Sequence, residues 1–185
     1  MIKGLIVNAK LQMDINTKRL VLRPIKKGDE LHFAKHLNNI NVSRHLSTPP
    51  YPYAMKHAKA WVRLNLKNNR KRRKTDVVFV IEYDKKFVGV TGLHKIHGHR
   101  CELGYWIAEP FWGQGFATES TKAVTKFAFD ELKLVRIVAA AFILNKRSMR
   151  VLRKCGFKKE GHLRKAILKK KRFYDVHLFA KIKNS

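Results

Sequence analysis

Acidic residues are scarce in this chain of 185 residues. Thirteen Asp and Glu stand against 41 Lys and Arg, a formal net charge of +28. An excess of this size bears on partners rather than on the fold, and it disfavours polycationic ones. Cysteine is nearly absent too. Cys101 and Cys155 lie far apart and form no Cys-x-x-Cys pair. That excludes a disulfide framework, argues against a structural zinc, and fits a reducing, cytoplasmic setting. Long apolar runs are missing as well. Ile2, Leu5, Ile6 and Val7 are bracketed by Lys3 and Lys10, too short a run for a signal peptide, and no stretch is long enough to span a bilayer. No internal repeat or low-complexity linker marks a second domain, so residues 1–185 read as one domain with an N-terminal extension at 1–16.

What is present is organised around residues 107–118, Ile-Ala-Glu-Pro-Phe-Trp-Gly-Gln-Gly-Phe-Ala-Thr. Residues 101–106 before it form an aromatic and apolar run of strand propensity. After it, Ala123, Val124, Phe127, Ala128 and Leu132 recur at helical spacing. A strand, a glycine-bearing turn and a helix in that order bring two flexible glycines to the positive end of a helix dipole, where N–H groups are unpaired. The combination suits a pyrophosphate. Gly-x-Gly before a helix is also a plain tight connection, and the glycines alone leave both readings open.

The remainder alternates between strands and helices. Residues 19–24 read as a strand stopped by Pro24. Asp29 is placed as the N-cap of a helix carrying Leu31, Phe33, Ala34 and Leu37. A loop at 41–53 contains Tyr51 and Tyr53. A second helix at 54–72 has Ala58, Trp61, Val62 and Leu66 on one face and frays into a basic connector at 69–74. Residues 77–82, 87–96 and 101–108 are neighbouring antiparallel strands, turned at 84–86 and at Gly98. Residues 135–144, apolar apart from Arg136, are expected to be a strand buried on both faces. A helix at 148–154 closed by Gly156 and a last strand at 173–182 follow. The fold class is α/β, with a mixed, twisted sheet.

Three sets of residues together resemble the GNAT acetyltransferases. Gly115 and Ala117 fill the last positions of the Gln/Arg-x-x-Gly-x-Gly/Ala pattern of their acetyl-coenzyme A loop, with Trp112 where Gln or Arg is usual. Trp112 to Glu119 is similar to the RimJ/RimL branch, the ribosomal-protein-alanine N-acetyltransferases and their relatives. Arg19-Leu20-Val21-Leu22-Arg23-Pro24, and Asn145-x-x-Ser148 followed by Cys155-Gly156-Phe157, stand at that branch's spacings. The resemblance covers residues 17–182. It implies a GNAT fold, a mostly antiparallel sheet of about six or seven strands with helices on both faces. A parallel pair, here 101–108 and 135–144, would splay apart to admit the cofactor. It further implies an enzyme moving acetyl from acetyl-CoA to a primary amine, foremost the N-terminal α-amine of a ribosomal protein or another peptide. A small-molecule amine is the alternative acceptor, and a GNAT-like nucleic-acid-binding or regulatory module the alternative outside enzymes. A monomer or a homodimer fits, with no membrane and no metal.

By the same resemblance, backbone groups of Trp106 and Ile107 pair with the pantetheine arm, and the N–H groups of Gly113, Gln114, Gly115, Phe116, Ala117 and Thr118 hold the pyrophosphate. Asn145 ends a strand where ligands gather in open α/β sheets, and it also fits as the N-cap of the next helix. Ser148 is the candidate acid for the leaving thiolate, since Leu152 occupies the position where many relatives carry a Tyr; a Ser near a helix start is also a common cap. Glu102 is the candidate base, or else a structural carboxylate paired with a cation. His94 is a third possibility, or a merely packed residue. A site without a strong base suits α-amines, with pKa about 8, over lysine side chains at about 10.4.

The positive charge is unevenly spread. Residues 56–75 carry nine Lys or Arg and no acid, and residues 145–172 carry thirteen against Glu160 alone. A few cations suffice for the phosphates of coenzyme A. The rest either face ribosomal RNA around a substrate protein or form a solvated surface, and no nucleic-acid motif accompanies them.

Overall fold

Every residue from Val77 through Ile81 is buried, so β3 (Val77–Tyr83) needs cover on both faces. Helices supply it. A computed structural model describes residues 13–70 and 75–183. Ahead of β3 come β1 (Ile15–Asn16), β2 (Leu20–Pro24), α1 (Asp29–Leu37), α2 (Ile40–Ser43) and α3 (Met55–Asn69). After it come β4 (Lys86–His97), β5 (Arg100–Ile107), a 3-10 turn (Glu109–Phe111), α4 (Phe116–Asp130), β6 (Arg136–Phe142), α5 (Lys146–Lys154), β7 (Lys158–Lys169) and β8 (Arg172–Ile182). The strands form one eight-stranded sheet in the order β1-β2-β3-β4-β5-β6-β8-β7. Among the described residues only β5 and β6 run parallel. On one face α4 and α5 pack around Phe79, Leu93, Leu103, Phe116, Ile137 and Leu152. On the other, α1 and α3 pack around Phe33, Leu37, Val62, Val80, Phe87 and Val90.

The sheet exceeds the expected strand number through β1 and β7. β1 draws residues 15–16 of the N-terminal extension into the sheet beside β2; residues 1–12 lie outside the described ones. β7 has almost no buried side chain and pairs only with β8. At such an edge nothing imposes an apolar period, so the sequence carries no strand signal there. Its lysines guard the unpaired edge against joining another chain.

Three further expectations are corrected. β6 is covered on one face only: Ile137, Ala139 and Ala141 are buried, Ala140 is exposed, and Leu144 just beyond the strand is 81% exposed. Asp29 is the first residue of α1 and Gly28 is the N-cap. The Asp29 carboxylate instead accepts the Lys26 N–H at 2.8 Å and two bonds from the Arg23 guanidinium at 2.8 and 2.9 Å, while Arg23 Nε reaches Glu82 at 2.7 Å. The loop at 41–53 begins inside α2, whose cap is Asn39. Tyr53 belongs to the α1–α3 core, and Tyr51 lies under the Lys170 ammonium. Of the basic connector, residues 71–74 lie outside the described ones.

Candidate active site

Beyond Glu102 the two parallel strands part. β5 pairs with β6 only at Arg100↔Arg136, Cys101↔Ile137 and Glu102↔Val138. Its other edge stays in register with β4 as far as Gly89↔Ile107, and β6 stays paired with β8 as far as Phe142↔Val176. A gap therefore opens within the sheet towards the carboxyl ends of β5 and β6. The Ala108 N–H donates to the Val88 carbonyl at 2.8 Å. Alternation along the strand then turns the N–H and C=O groups of Tyr105 and Ile107 away from β4 and into the gap. Trp106 is one residue out of step. Its backbone faces Val90, and its indole packs 5.9 Å from Phe33 and 5.7 Å from Phe87. The edge thus presents Tyr105 with Ile107, where the sequence reading had Trp106 with Ile107.

From β5 the chain passes through Gly113 (φ +80) and Gly115 (φ +83), the latter being the N-cap of α4. These left-handed conformations are open to glycine at little cost. Among the described residues, the N–H groups from Gly113 through Ala117 have no partner, whereas that of Thr118 already donates to the Gly115 carbonyl at 3.0 Å. The free row thus ends one residue earlier than the sequence suggests. A row of unpaired N–H groups at the N-terminus of a fifteen-residue helix fits a pyrophosphate. The Phe116 side chain is buried, with the Arg19 guanidinium 4.7 Å from its ring centre.

Two side chains brace this loop in ways the sequence does not advertise. Trp112 donates from Nε1 to the Ile107 carbonyl at 2.7 Å, and the Arg147 guanidinium sits 5.2 Å above its ring. Arg19 donates to the Gln114 carbonyl at 3.0 Å and to Glu119 at 2.8 Å, while Glu119 also accepts from Thr17 Oγ1 at 2.7 Å. Burial works against the Glu119 carboxylate, but the bonds from Thr17 and Arg19 outweigh it and hold the group below its ordinary range.

Across the gap, Asn145 caps α5: its Oδ1 accepts the Ser148 N–H at 3.1 Å. Its amide nitrogen has no partner among the described residues and can still donate to a ligand. Ser148 is therefore not the cap. Its Oγ lies 2.9 Å from Tyr105 Oη, which also donates to the Ser148 carbonyl at 3.2 Å. Burial pushes the Tyr105 phenol well above its ordinary range, and the bond from Ser148 only partly offsets this, so the phenol keeps its proton. Tyr105 was not among the sequence candidates, because its partner lies on another element 43 residues away. α5 ends in a Schellman motif, with Phe157 N–H to Leu152 O at 3.0 Å and Gly156 N–H to Arg153 O at 2.9 Å.

Glu102 is exposed and ion-paired with Lys95 at 3.0 Å. His94 is bonded to Asp76, Nδ1 to Oδ1, at 3.0 Å. Both cysteines are free and buried. Burial first, and the Glu102 charge second, push the Cys101 thiol up to about 12, and burial raises Cys155 as well, so neither is a ready nucleophile. Among the described residues no cluster of three or more metal-ligating side chains occurs, and no helix is long and apolar enough to cross a membrane.

Residues 19–158 match the family model described as an acetyltransferase (GNAT) domain. An uncharacterized N-acetyltransferase of Bacillus subtilis, YnaD, is 28% identical over 170 residues, 91% of this chain and 96% of that one. The spermidine N(1)-acetyltransferase of Escherichia coli K12 is 29% identical over 145 residues, 77% of this chain and 74% of that one. RimL, a ribosomal L7/L12 alpha-N-protein acetyltransferase in complex with coenzyme A, has a similar structure with a TM-score of 0.84. Its identity is 22%, over 92% of this chain and 98% of that one, which is a likeness of fold. The family model thus runs from β2 into the start of β7 and includes the split strands and the glycine loop; the chain belongs to the GNAT acetyltransferases.

Proposed function

We propose that this protein transfers the acetyl group of acetyl-CoA to a primary amine, and that its acceptor is the N-terminal α-amine of a protein or peptide. The observation that carries the first part is an interrupted row of free backbone donors along one stretch of chain. It starts with Tyr105 and Ile107 in the gap and runs into Gly113 through Ala117, which suits an arm of amides ending in a pyrophosphate. Acetyl-CoA supplies the acetyl group as an activated thioester. In this reading Tyr105 and Ile107 hold the pantetheine amides, and the α4 N-terminus holds the pyrophosphate. The Asn145 amide nitrogen donates to the same arm. Trp112 keeps the Ile107 carbonyl in place. Ser148, backed by Tyr105, holds a proton at Oγ for the departing sulfur.

Electrostatics favour the acceptor class. Arg44, His45, Arg147 and Lys169 gather where α2, α5 and the β7–β8 hairpin approach Trp112. Burial lowers the pKa of His45, and the charges of Arg44, Arg147 and Lys169 lower it further. A rim of this sign repels a polyamine. An α-amine with pKa about 8 is neutral for roughly a fifth of the time near pH 7.4, whereas a lysine side chain at about 10.4 is neutral roughly once in a thousand. Thiol release would be measured with free-N-terminus peptides, an N-blocked lysine peptide, small amines and spermidine. Turnover strongest with free N-termini is expected. Faster turnover of spermidine than of any peptide would overturn the acceptor assignment.

A further inference from the structure

The sheet face opposite Ser148 carries a second polar pair. His94 of β4 lies directly across from Glu102, the last residue of β5 still paired with β6. Leu93 before it is buried in the α4–α5 core, so alternation sends the His94 ring to the α1–α3 side. There the ring lies over two glycines. A Cβ on Gly104 would meet its Cδ2 and Nε2 at 3.3 Å, and one on Gly92 would meet Nε2 at 3.1 Å. Asp76 holds the ring through Nδ1 at 3.0 Å, and its other oxygen accepts from Thr75 Oγ1 at 2.7 Å. The bond to His94 is the foremost cause keeping Asp76 below the ordinary carboxylate range. A charged carboxylate at Nδ1 fixes the proton on that nitrogen and leaves Nε2 with its lone pair. Nε2 has no hydrogen-bond partner among the described residues, and the side chain is 37% exposed. Among the described residues, Lys95 beside it in the chain and Glu102 across from it on β5 are paired with each other.

We infer that His94, oriented by Asp76, is the base that takes the proton from the acceptor amine. This deepens the acetyl-transfer reading and rests on it. Gly104 and Tyr105 are consecutive in β5 just past its last pair with β6, so their side-chain directions point to opposite faces. His94 therefore stands on one side of that edge and the Ser148–Tyr105 pair on the other. Acyl transfer benefits from such a division. The C–N bond forms as the C–S bond breaks, one amine proton passes to His94 Nε2, and the sulfur leaves with the proton held at Ser148 Oγ. Nothing is oxidised or reduced, and water later returns both groups to their starting state. Asp76 stabilises the imidazolium formed on the way, a positioning role.

The test compares wild type, His94→Gln, Asp76→Asn and Glu102→Gln with acetyl-CoA and the best peptide acceptor. In His94→Gln, kcat should fall about a hundredfold or more, with KM for acetyl-CoA little changed and the acidic limb of the kcat–pH profile lost. His94→Asn serves if the Gln variant does not fold. Asp76→Asn should lower kcat by a smaller factor, about tenfold, because the imidazolium has lost its carboxylate. A readout independent of turnover is nitrogen-15 NMR of the histidines in the substrate-free protein. The neutral His94 ring should carry its proton on Nδ1 in wild type and lose that fixed preference in Asp76→Asn. Full kcat and an intact limb in His94→Gln, with the limb lost in Glu102→Gln, would overturn the assignment and leave acetyl transfer standing. So would a proton found on Nε2 of the neutral ring. Wild-type protein that acetylates no amine, yet shows the expected His94 tautomer, would overturn the acetyl-transfer reading itself and the base role with it.

Discussion

Tyr105 Oη sits 2.9 Å from Ser148 Oγ and 3.2 Å from the Ser148 carbonyl oxygen, joining the free edge of β5 to the first turn of α5. If Ser148 protonates the leaving thiolate, Ser148→Ala should lower kcat about a hundredfold with little change in KM for acetyl-CoA. Tyr105→Phe should lower it less, by about tenfold, through loss of the bond that aims the serine. Thermal melts separate this from a stability effect. The cap on α5 uses the Ser148 backbone N–H, which alanine keeps, so the melting point should hardly move. Asn145→Ala removes the cap itself and should cost about 1 kcal/mol.

Gly115→Glu should abolish coenzyme A binding. At φ +83 any side chain is strained, and a carboxylate there would face the row of N–H groups offered to the phosphates. Gly115→Ala isolates the strain. It should lose about 1–2 kcal/mol of stability and weaken binding only modestly. Calorimetric titration with coenzyme A checks both, and unchanged affinity in a folded Gly115→Glu variant would remove the loop from the binding site.

Trp112→Phe keeps an aromatic face but deletes the 2.7 Å bond to the Ile107 carbonyl, along with the outer part of the indole. A neutral hydrogen bond contributes about 1 kcal/mol. KM for acetyl-CoA should therefore rise roughly fivefold while kcat holds, and an equal fall in kcat would place Trp112 in the chemical step instead.

Asp29→Ala should be among the most destabilising single changes in the N-terminal half. It leaves the Arg23 guanidinium, 11% exposed, with Glu82 as its remaining carboxylate. Removing one member of a buried ion pair costs about 3 kcal/mol or more, which urea unfolding followed by circular dichroism would reveal.

Acidification should weaken the brace between Arg19 and Glu119. The folded-state pKa of Glu119 is depressed, so its contribution is fully present above the unfolded value of about 4.3. It is lost as pH falls through the lower folded value. Wild type should therefore be more stable than Glu119→Gln at neutral pH, with the gap closing below about pH 4. Parallel denaturation curves at several pH values would show it.

Much of this was legible from local pattern. The glycine loop, the helix after it and the Asn145 cap depend on neighbours in sequence, and Gly113, Gly115 and Asn145 declare themselves. Strands β3, β4 and β5 are readable because burial imposes apolar side chains on them. The lysine-rich β7 lacks that constraint and shows no pattern. Tyr105, the Trp112 bond and the Arg19–Glu119 brace escaped because each depends on a partner placed by the fold. His94 read as a solitary histidine, since Asp76 becomes its neighbour only when β3 and β4 lie side by side. The register at Trp106 failed for a different reason. A strand's periodicity shows which side chains share a face, but only pairing shows which edge its N–H groups occupy.

The parting of β5 from β6 makes the sheet two panels hinged on a short seam. One panel, β1 to β5, and the other, β6, β8 and β7, pair within the sheet at three residues, from Arg100↔Arg136 to Glu102↔Val138, with the His99 carbonyl accepting from the Val135 and Arg136 N–H groups just before them; elsewhere they are held through α4, α5 and the Lys169 bonds to the α2 end. A ligand lying along Tyr105 and Ile107 would work as a rivet between the panels. Occupancy would then register as cooperativity: amides of β6 and β8 exchanging independently of β4 in the free protein would exchange together with it once the gap is filled.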